Sequence, residues 1–122
     1  MAGLDPLLQH PTRLTVVAFL GGCIEAEFSA VRDYCQVSDS VLSKAASALE
    51  EAGYLVVKKG YVGKRPRTWL AVTGVGRRAL ADHLAVLQRL AAAAEEAGRE
   101  AEGRPAEGGE TEGGETEGRA GS

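Results

Sequence analysis

At 122 residues, 44% hydrophobic and only 5% aromatic, the chain has material for one compact domain, and its apolar residues, chiefly Ala, Val and Leu, suit helices with a short sheet better than a large sandwich. The formal charge of −3 hides a division: residues 1–97 hold 11 Lys/Arg against 10 Asp/Glu, and residues 98–122 hold 3 against 7. Apolar stretches such as 14–23 fall short of the roughly 18 residues of a membrane span, which excludes that class of protein.

In chain order, residues 4–22 read as helical with an interruption. Pro11 opens a helix at its first turn, Leu14, Val17, Ala18 and Leu20 supply an apolar stripe, and Gly21-Gly22 ends it. A short helix over about 28–34 turns Phe28, Val31 and Cys35 inward. After a tight turn at Gln36-Val37, Ser38 is an N-cap with Asp39 in the first turn. Val41, Leu42, Ala45, Leu49 and Ala52 then form a continuous apolar face that ends at Gly53. The β-rich runs 54–59 and 68–72 flank residues 60–67, where Gly, Pro and three cations are expected to interrupt the ladder, giving a hairpin with a basic tip. Thr73 caps a last helix to about Ala97. Leu80, Leu84, Leu87 and Ala91 make one apolar stripe on it, and His83, Val86, Leu90 and Ala93 a second.

A lone small domain buries one stripe, so the second predicts pairing with the same helix of another copy. Leu7, Leu8, His83, Val86, Leu87 and Leu90 are the expected interface of that homodimer. From Gly98 the composition narrows to Gly, Glu, Ala, Arg and Thr, with Glu-Gly-Gly-Glu-Thr at 107–111 and again at 112–116. Residues 1–97 are therefore expected as the folded domain and 98–122 as a disordered acidic tail, unable to bury enough apolar surface to offset its ordering entropy.

The order helix, short helix, turn, helix, basic hairpin, helix answers the needs of duplex DNA, since a helix fits the major groove and the preceding one braces it. Over 38–52 the side opposite Leu42, Ala45 and Leu49 carries Ser40, Ser43, Lys44 and Ser47, with Ser38 at its start. Hydroxyls bond to bases or phosphates, and Lys44 reaches a guanine edge or a phosphate. Residues 58–78 hold seven cations and no acid. Lys58, Lys64, Arg65 and Arg67, on the hairpin at 58–68, suit the DNA backbone or a narrow minor groove. Arg77 and Arg78 sit at a helix start, where the dipole disfavours cations, and a phosphate or carboxylate partner for one of them would account for that.

Four segments taken together resemble a known family: Ser38-Asp-Ser-Val-Leu-Ser-Lys44, Leu49-Glu-Glu-Ala-Gly-Tyr-Leu55, Lys64-Arg-Pro-Arg-Thr68 and Val72-Thr-Gly-Val-Gly-Arg77. In that order, across roughly residues 5–95, the chain resembles the compact winged helix-turn-helix regulators related to the MarR and ArsR groups. The resemblance implies an α+β, helix-dominated fold with a basic β-hairpin wing and a long C-terminal dimerisation helix. It implies a homodimer acting as a transcriptional repressor on a pseudo-palindromic double-stranded operator, with helix 38–51 in the major groove. The chain departs from such regulators in a recognition helix of Ser and Ala, without Asn, Gln, His or Arg.

Other readings are set against this one. Lys58, Lys59, Lys64, Arg65 and Arg67 could serve as edge charges that block sheet aggregation. The hairpin could meet an acidic protein partner, making the chain a protein–protein interaction module. Cys23 and Cys35, with His10 and His83, permit a thiol- or metal-responsive regulator, although no Cys-x-Cys or Cys-x-x-Cys pair is present. With no phosphate-binding Gly loop, His-Glu metal motif or nucleophile elbow, no enzyme and no cofactor are expected. The start of the chain lacks the pattern of a secretory signal, so a cytoplasmic protein with reduced thiols is expected.

Overall fold

The computed structural model describes residues 3–103, and the acidic repeats lie outside them. A short 3₁₀ turn at Pro6–Gln9 leads into α1 (Pro11–Gly21), β1 (Ala26–Glu27), α2 (Phe28–Cys35), α3 (Asp39–Glu51), the hairpin strands β2 (Leu55–Val62) and β3 (Arg65–Val72), and α4 (Gly74–Gly103). The three strands form one antiparallel sheet in the order β1-β3-β2. Among the described residues no helix is long and apolar enough to cross a membrane. The chain divides into a compact unit reaching Gln88 and a second one from Arg89 onward.

Local chemistry sets each boundary. Pro11 stands in the first turn of α1, where its missing N–H has no helical partner in any case. After α2 the chain turns at Gln36, whose left-handed backbone (φ 57°) sends its N–H back to Arg32 and Asp33. Ser38 Oγ then accepts the Val41 N–H at 3.2 Å and starts α3. Arg32 bridges the two helices, bonding Asp39 at 2.9 Å and Asp33 at 3.0 Å. Its hydrogen bonds to Asp39 and Asp33 hold its pKa above the ordinary value. The turn geometry between α2 and α3 is thus held by both backbone and side chain.

One core gathers Leu8, Val16, Val17, Leu20, Val31, Leu42, Ala46, Leu49, Leu55, Leu70 and Val72. On α3 the buried row is Leu42, Ala45, Ala46 and Leu49, at spacings of three, four and seven. The apolar face expected from sequence is corrected at both ends: Val41 and Ala52 are exposed, and Ala46 takes an inward place.

The hairpin strands run through the segment expected to interrupt them, leaving only Gly63-Lys64 as the turn. Gly63 takes φ +63°, the positive angle that a two-residue hairpin readily draws from glycine. In such a hairpin the flanking Val62–Arg65 pair exchanges both ladder bonds and the next pair, Tyr61–Pro66, exchanges none. Pro66 therefore costs the β2–β3 ladder nothing, and β1 pairs only with Leu70 and Trp69 further along β3. α4 continues six residues beyond the expected end near Ala97, as far as Gly103, with an Arg99–Glu96 pair at 2.8 Å one turn apart.

The N-terminal segment straps α4 to the body of the compact unit. The Asp5 N–H donates to His83 Nδ1 at 3.1 Å, the Leu7 N–H donates to Asp5 Oδ1 at 2.9 Å, and the Tyr54 hydroxyl donates to the Asp5 carboxylate. Gly3, at φ +91°, lies so close to Val86 that an added Cβ would stand 2.8 Å from its Cγ2. This corrects the expected dimer interface, because Leu8 is in the core, His83 is only 2% exposed beneath Asp5, and Val86 is covered by Gly3. The chain's own first residues bury the side chains that the stripe argument reserved for a second copy.

The strap has a titration signature. The hydrogen bond to Asp5, then burial, then the Asp5 charge push the Tyr54 hydroxyl up to about 12 from an ordinary 10. A raised folded-state pKa means that the protonated phenol stabilises the fold at pH values below 10, and that this contribution is lost as pH rises through about 12. Tyr54 is expected to titrate late by near-ultraviolet absorbance, and Asp5→Asn should bring that midpoint down toward 10. An unmoved midpoint would contradict the strap.

Candidate nucleic-acid interface

With its buried row against the core, α3 turns Ser40, Ser43, Lys44 and Ser47 outward, and all four are exposed, as the sequence predicts. Ser38 has a different task, since its hydroxyl caps the helix and lies 3.2 Å from Ser40 Oγ.

Strand alternation divides the hairpin cations. The pairs Leu55–Val72, Val57–Leu70 and Lys59–Thr68 share one face, beginning in the core and ending beyond its edge. Lys59 and Thr68 consequently line, with Ser43, Ser47 and Glu50 of α3, an open trough of about 640 Å³ floored by Phe28, Ala46, Val57 and Leu70. Neither Lys59 nor Thr68 is among the DNA contacts expected from sequence, although the inward alternation from Leu55 through Val57 leads directly to Lys59. Lys58, Arg65 and Arg67 belong to the opposite face.

On that face Lys58 pairs with Glu25 at 2.6 Å and Arg67 with Glu27 at 3.3 Å. Both expected DNA contacts are thus engaged by carboxylates at β1. Among the described residues Lys59, Lys64 and Arg65 have no carboxylate within 4 Å, and the last two stand at the exposed end of the hairpin. Trp69, the cross-strand partner of Lys58, lays its ring over Gly60, where an added Cβ would stand 3.2 Å away.

Arg77, expected at the DNA, also bonds within the chain. Its guanidinium donates to the carbonyls of Gly21 at 2.8 Å and Cys23 at 3.3 Å, closing the C-terminal end of α1. Backbone carbonyls account for a cation at a helix start, because that start lies beside another helix's negative end.

At the other end of α3, Val41, Lys44 and Ala45 border a shallow hollow with His10, Thr12 and Arg13. A separate groove of about 410 Å³ runs between α1 and α4 over Leu14, Ala18, Phe19, Tyr34, Leu80 and Leu84, with Phe19 and Tyr34 stacked at 4.7 Å. Cys23 Sγ donates weakly to the Phe19 and Leu20 carbonyls, and burial pushes the Cys35 thiol up, away from the reactive thiolate. Among the described residues no three His, Cys, Asp or Glu side chains cluster as metal ligands would.

A helix-turn-helix held by Arg32 and Ser38, followed by a two-stranded arm whose inner face continues the outer face of α3, defines a winged helix. The chain belongs to the family of winged helix DNA-binding domains, whose model matches residues 12–91. Among solved structures it is similar to a transcriptional regulator homologue from Pyrococcus horikoshii OT3, with 28% identity over 69% of this chain and 87% of that one and a TM-score of 0.59. It is also similar to a MarR family transcriptional regulator from Silicibacter pomeroyi DSS (18% identity, 67% of this chain and 54% of that one, TM-score 0.55). A third similarity is to the PcaV transcriptional regulator from Streptomyces coelicolor (18% identity, 71% and 60%, TM-score 0.59). No curated protein sequence matches. The expected α+β winged helix-turn-helix is the fold found, and its family is one of DNA-binding domains.

Proposed function

We propose that the protein is a homodimeric transcriptional repressor that binds a pseudo-palindromic operator, placing α3 in the major groove and the hairpin tip on the adjacent backbone or minor groove. The supporting observation is the shared trough. Ser43 and Ser47 of α3 face Lys59 and Thr68 of the sheet across an open channel, so hydroxyls and a cation with no ion pair among the described residues flank the path of one phosphodiester strand. Ser40, Lys44 and Ser47 then reach base edges or phosphates, while Lys64 and Arg65 meet the strand beyond. For the dimer, Leu84 and Leu90 remain exposed and Leu7 and Leu87 half-buried once Leu8, His83 and Val86 are assigned to the protomer.

Selection of bound sites from a random duplex pool at near-physiological salt tests this reading. The expected product is an inverted repeat with half-sites about 10 base pairs apart, or a multiple of that, bound with a steep salt dependence. An unpaired site, or affinity indifferent to salt, would remove it, and the latter would favour a protein partner. Sedimentation of the free protein is expected to show a dimer that Leu84→Glu with Leu90→Glu dissociates.

A further inference from the structure

We propose that Val41 reads a thymine C5-methyl group in the major groove, and that this contact gives the chemically plain α3 its base preference. The inference rests on the DNA-binding reading above. Val41 is 43% exposed in the first turn of α3, where recognition helices present side chains to base edges. The core does not require it, since Leu42, Ala45, Ala46 and Leu49 supply the inward row. Nor does the helix favour it, because a β-branched side chain loses rotamer freedom there.

The neighbouring chemistry narrows what Val41 can meet. The hydroxyls of Ser40, Ser43 and Ser47 both donate and accept, so they bond to any of the four base pairs without choosing strongly. Lys44 donates only, to guanine or to phosphate. Val41 is the one exposed branched aliphatic side chain on this helix. In the major groove only thymine, among the unmodified bases, offers a methyl group for such a side chain to cover. The hollow beside it is bordered by Arg13 and Lys44, whose charges suit the phosphates flanking a base. An apolar spot rimmed by cations therefore matches the edge of a thymine seated between backbone oxygens.

The test uses the full-length protein and the duplex that it selects. Each thymine is replaced singly by deoxyuridine, which removes the methyl and leaves base pairing intact. For the natural protein, one position in each half-site is expected to lose about fourfold in affinity, the worth of one buried methyl-sized group. Val41→Ala, whose thermal unfolding should be unchanged because the side chain is exposed, is expected to bind more weakly and to lose that sensitivity. The proposal is overturned if no thymine is sensitive, or if Val41→Ala shows the same uracil penalty as the natural protein. Failure to select any duplex would instead defeat the DNA-binding reading itself, a separate and recognisable result.

Discussion

Replacing Lys59, Lys64 and Arg65 together by alanine is expected to weaken duplex binding on the order of 100-fold at moderate salt, and to lower the log–log salt slope by about 3. The three act from different places. Lys59 projects from the core-side face of the hairpin into the trough shared with α3, while Lys64 and Arg65 stand at its exposed end. Among the described residues each has no carboxylate within 4 Å, so each can neutralise a phosphate and release a condensed counterion. The loss should be nearly uniform across sequences, since phosphates carry none.

The contrasting pair is Lys58→Ala with Arg67→Ala. These cations already hold Glu25 and Glu27 on the opposite face, and exposed pairs of this kind contribute little. Their removal is expected to change affinity by no more than about threefold, with little effect on slope. Filter binding over a salt series distinguishes the outcomes. Equal losses from both sets would show that pairing with Glu25 and Glu27 does not withhold Lys58 and Arg67 from DNA.

That contrast marks where sequence reasoning stops. Element order, the N-caps Ser38 and Thr73, the exposed Ser40, Ser43, Lys44 and Ser47, and a hairpin with a basic end all follow from local chemistry, which a sequence displays. Which of two adjacent lysines enters the trough depends on strand register, and that needs the start of the strand to within one residue. Placing the strand at Tyr54 and ending it at Lys59 obscured the inward run Leu55, Val57, Lys59. β1, only two residues long, leaves no periodic signal, so the carboxylates Glu25 and Glu27 that engage Lys58 and Arg67 were out of reach.

The errors on α4 share one physical origin. A helix stripe shows that a face is apolar without showing what covers it. Here the first residues of the chain, folded back through Asp5 and Gly3, cover His83 and Val86. Contacts between residues 78 positions apart have no local trace. Arg77 belongs to the same class, since its partners, the carbonyls of Gly21 and Cys23, lie more than fifty residues away. Val41 is expected inward because apolar residues default to the core, a one-way rule that still leaves many apolar side chains on a protein's surface.

Gly76→Ala is expected to destabilise the fold by about 3 kcal/mol, the upper end for overpacking, where a helical Gly→Ala exchange ordinarily gains about 1 kcal/mol. A Cβ at Gly76 would stand 2.5 Å from the Tyr54 carbonyl oxygen, 3.1 Å from its Cα and 2.8 Å from Val72 Cγ2. Two of those atoms are backbone, so no rotamer change relieves the overlap, and α4 must move away from the hairpin. The position is tight because three bonds draw the segments together there. Thr73 Oγ1 donates to the Gly53 carbonyl at 2.6 Å and accepts the Gly76 N–H at 3.0 Å, while the Thr73 N–H donates to the Tyr54 carbonyl at 2.9 Å. Gly74, two residues earlier, has nothing among the described residues within 4 Å of an added Cβ, and Gly74→Ala should unfold at or slightly above the natural temperature. Thermal unfolding by circular dichroism reads both variants, with each kcal/mol expected to move the midpoint by about 4–8 °C in a domain of this size. Because Tyr54 also anchors Asp5, displacement of α4 should loosen the strap, and Gly76→Ala should bring the late tyrosine titration down as Asp5→Asn does. Were Gly76→Ala to match Gly74→Ala in stability, α4 would have to leave the hairpin at an angle that spares Tyr54.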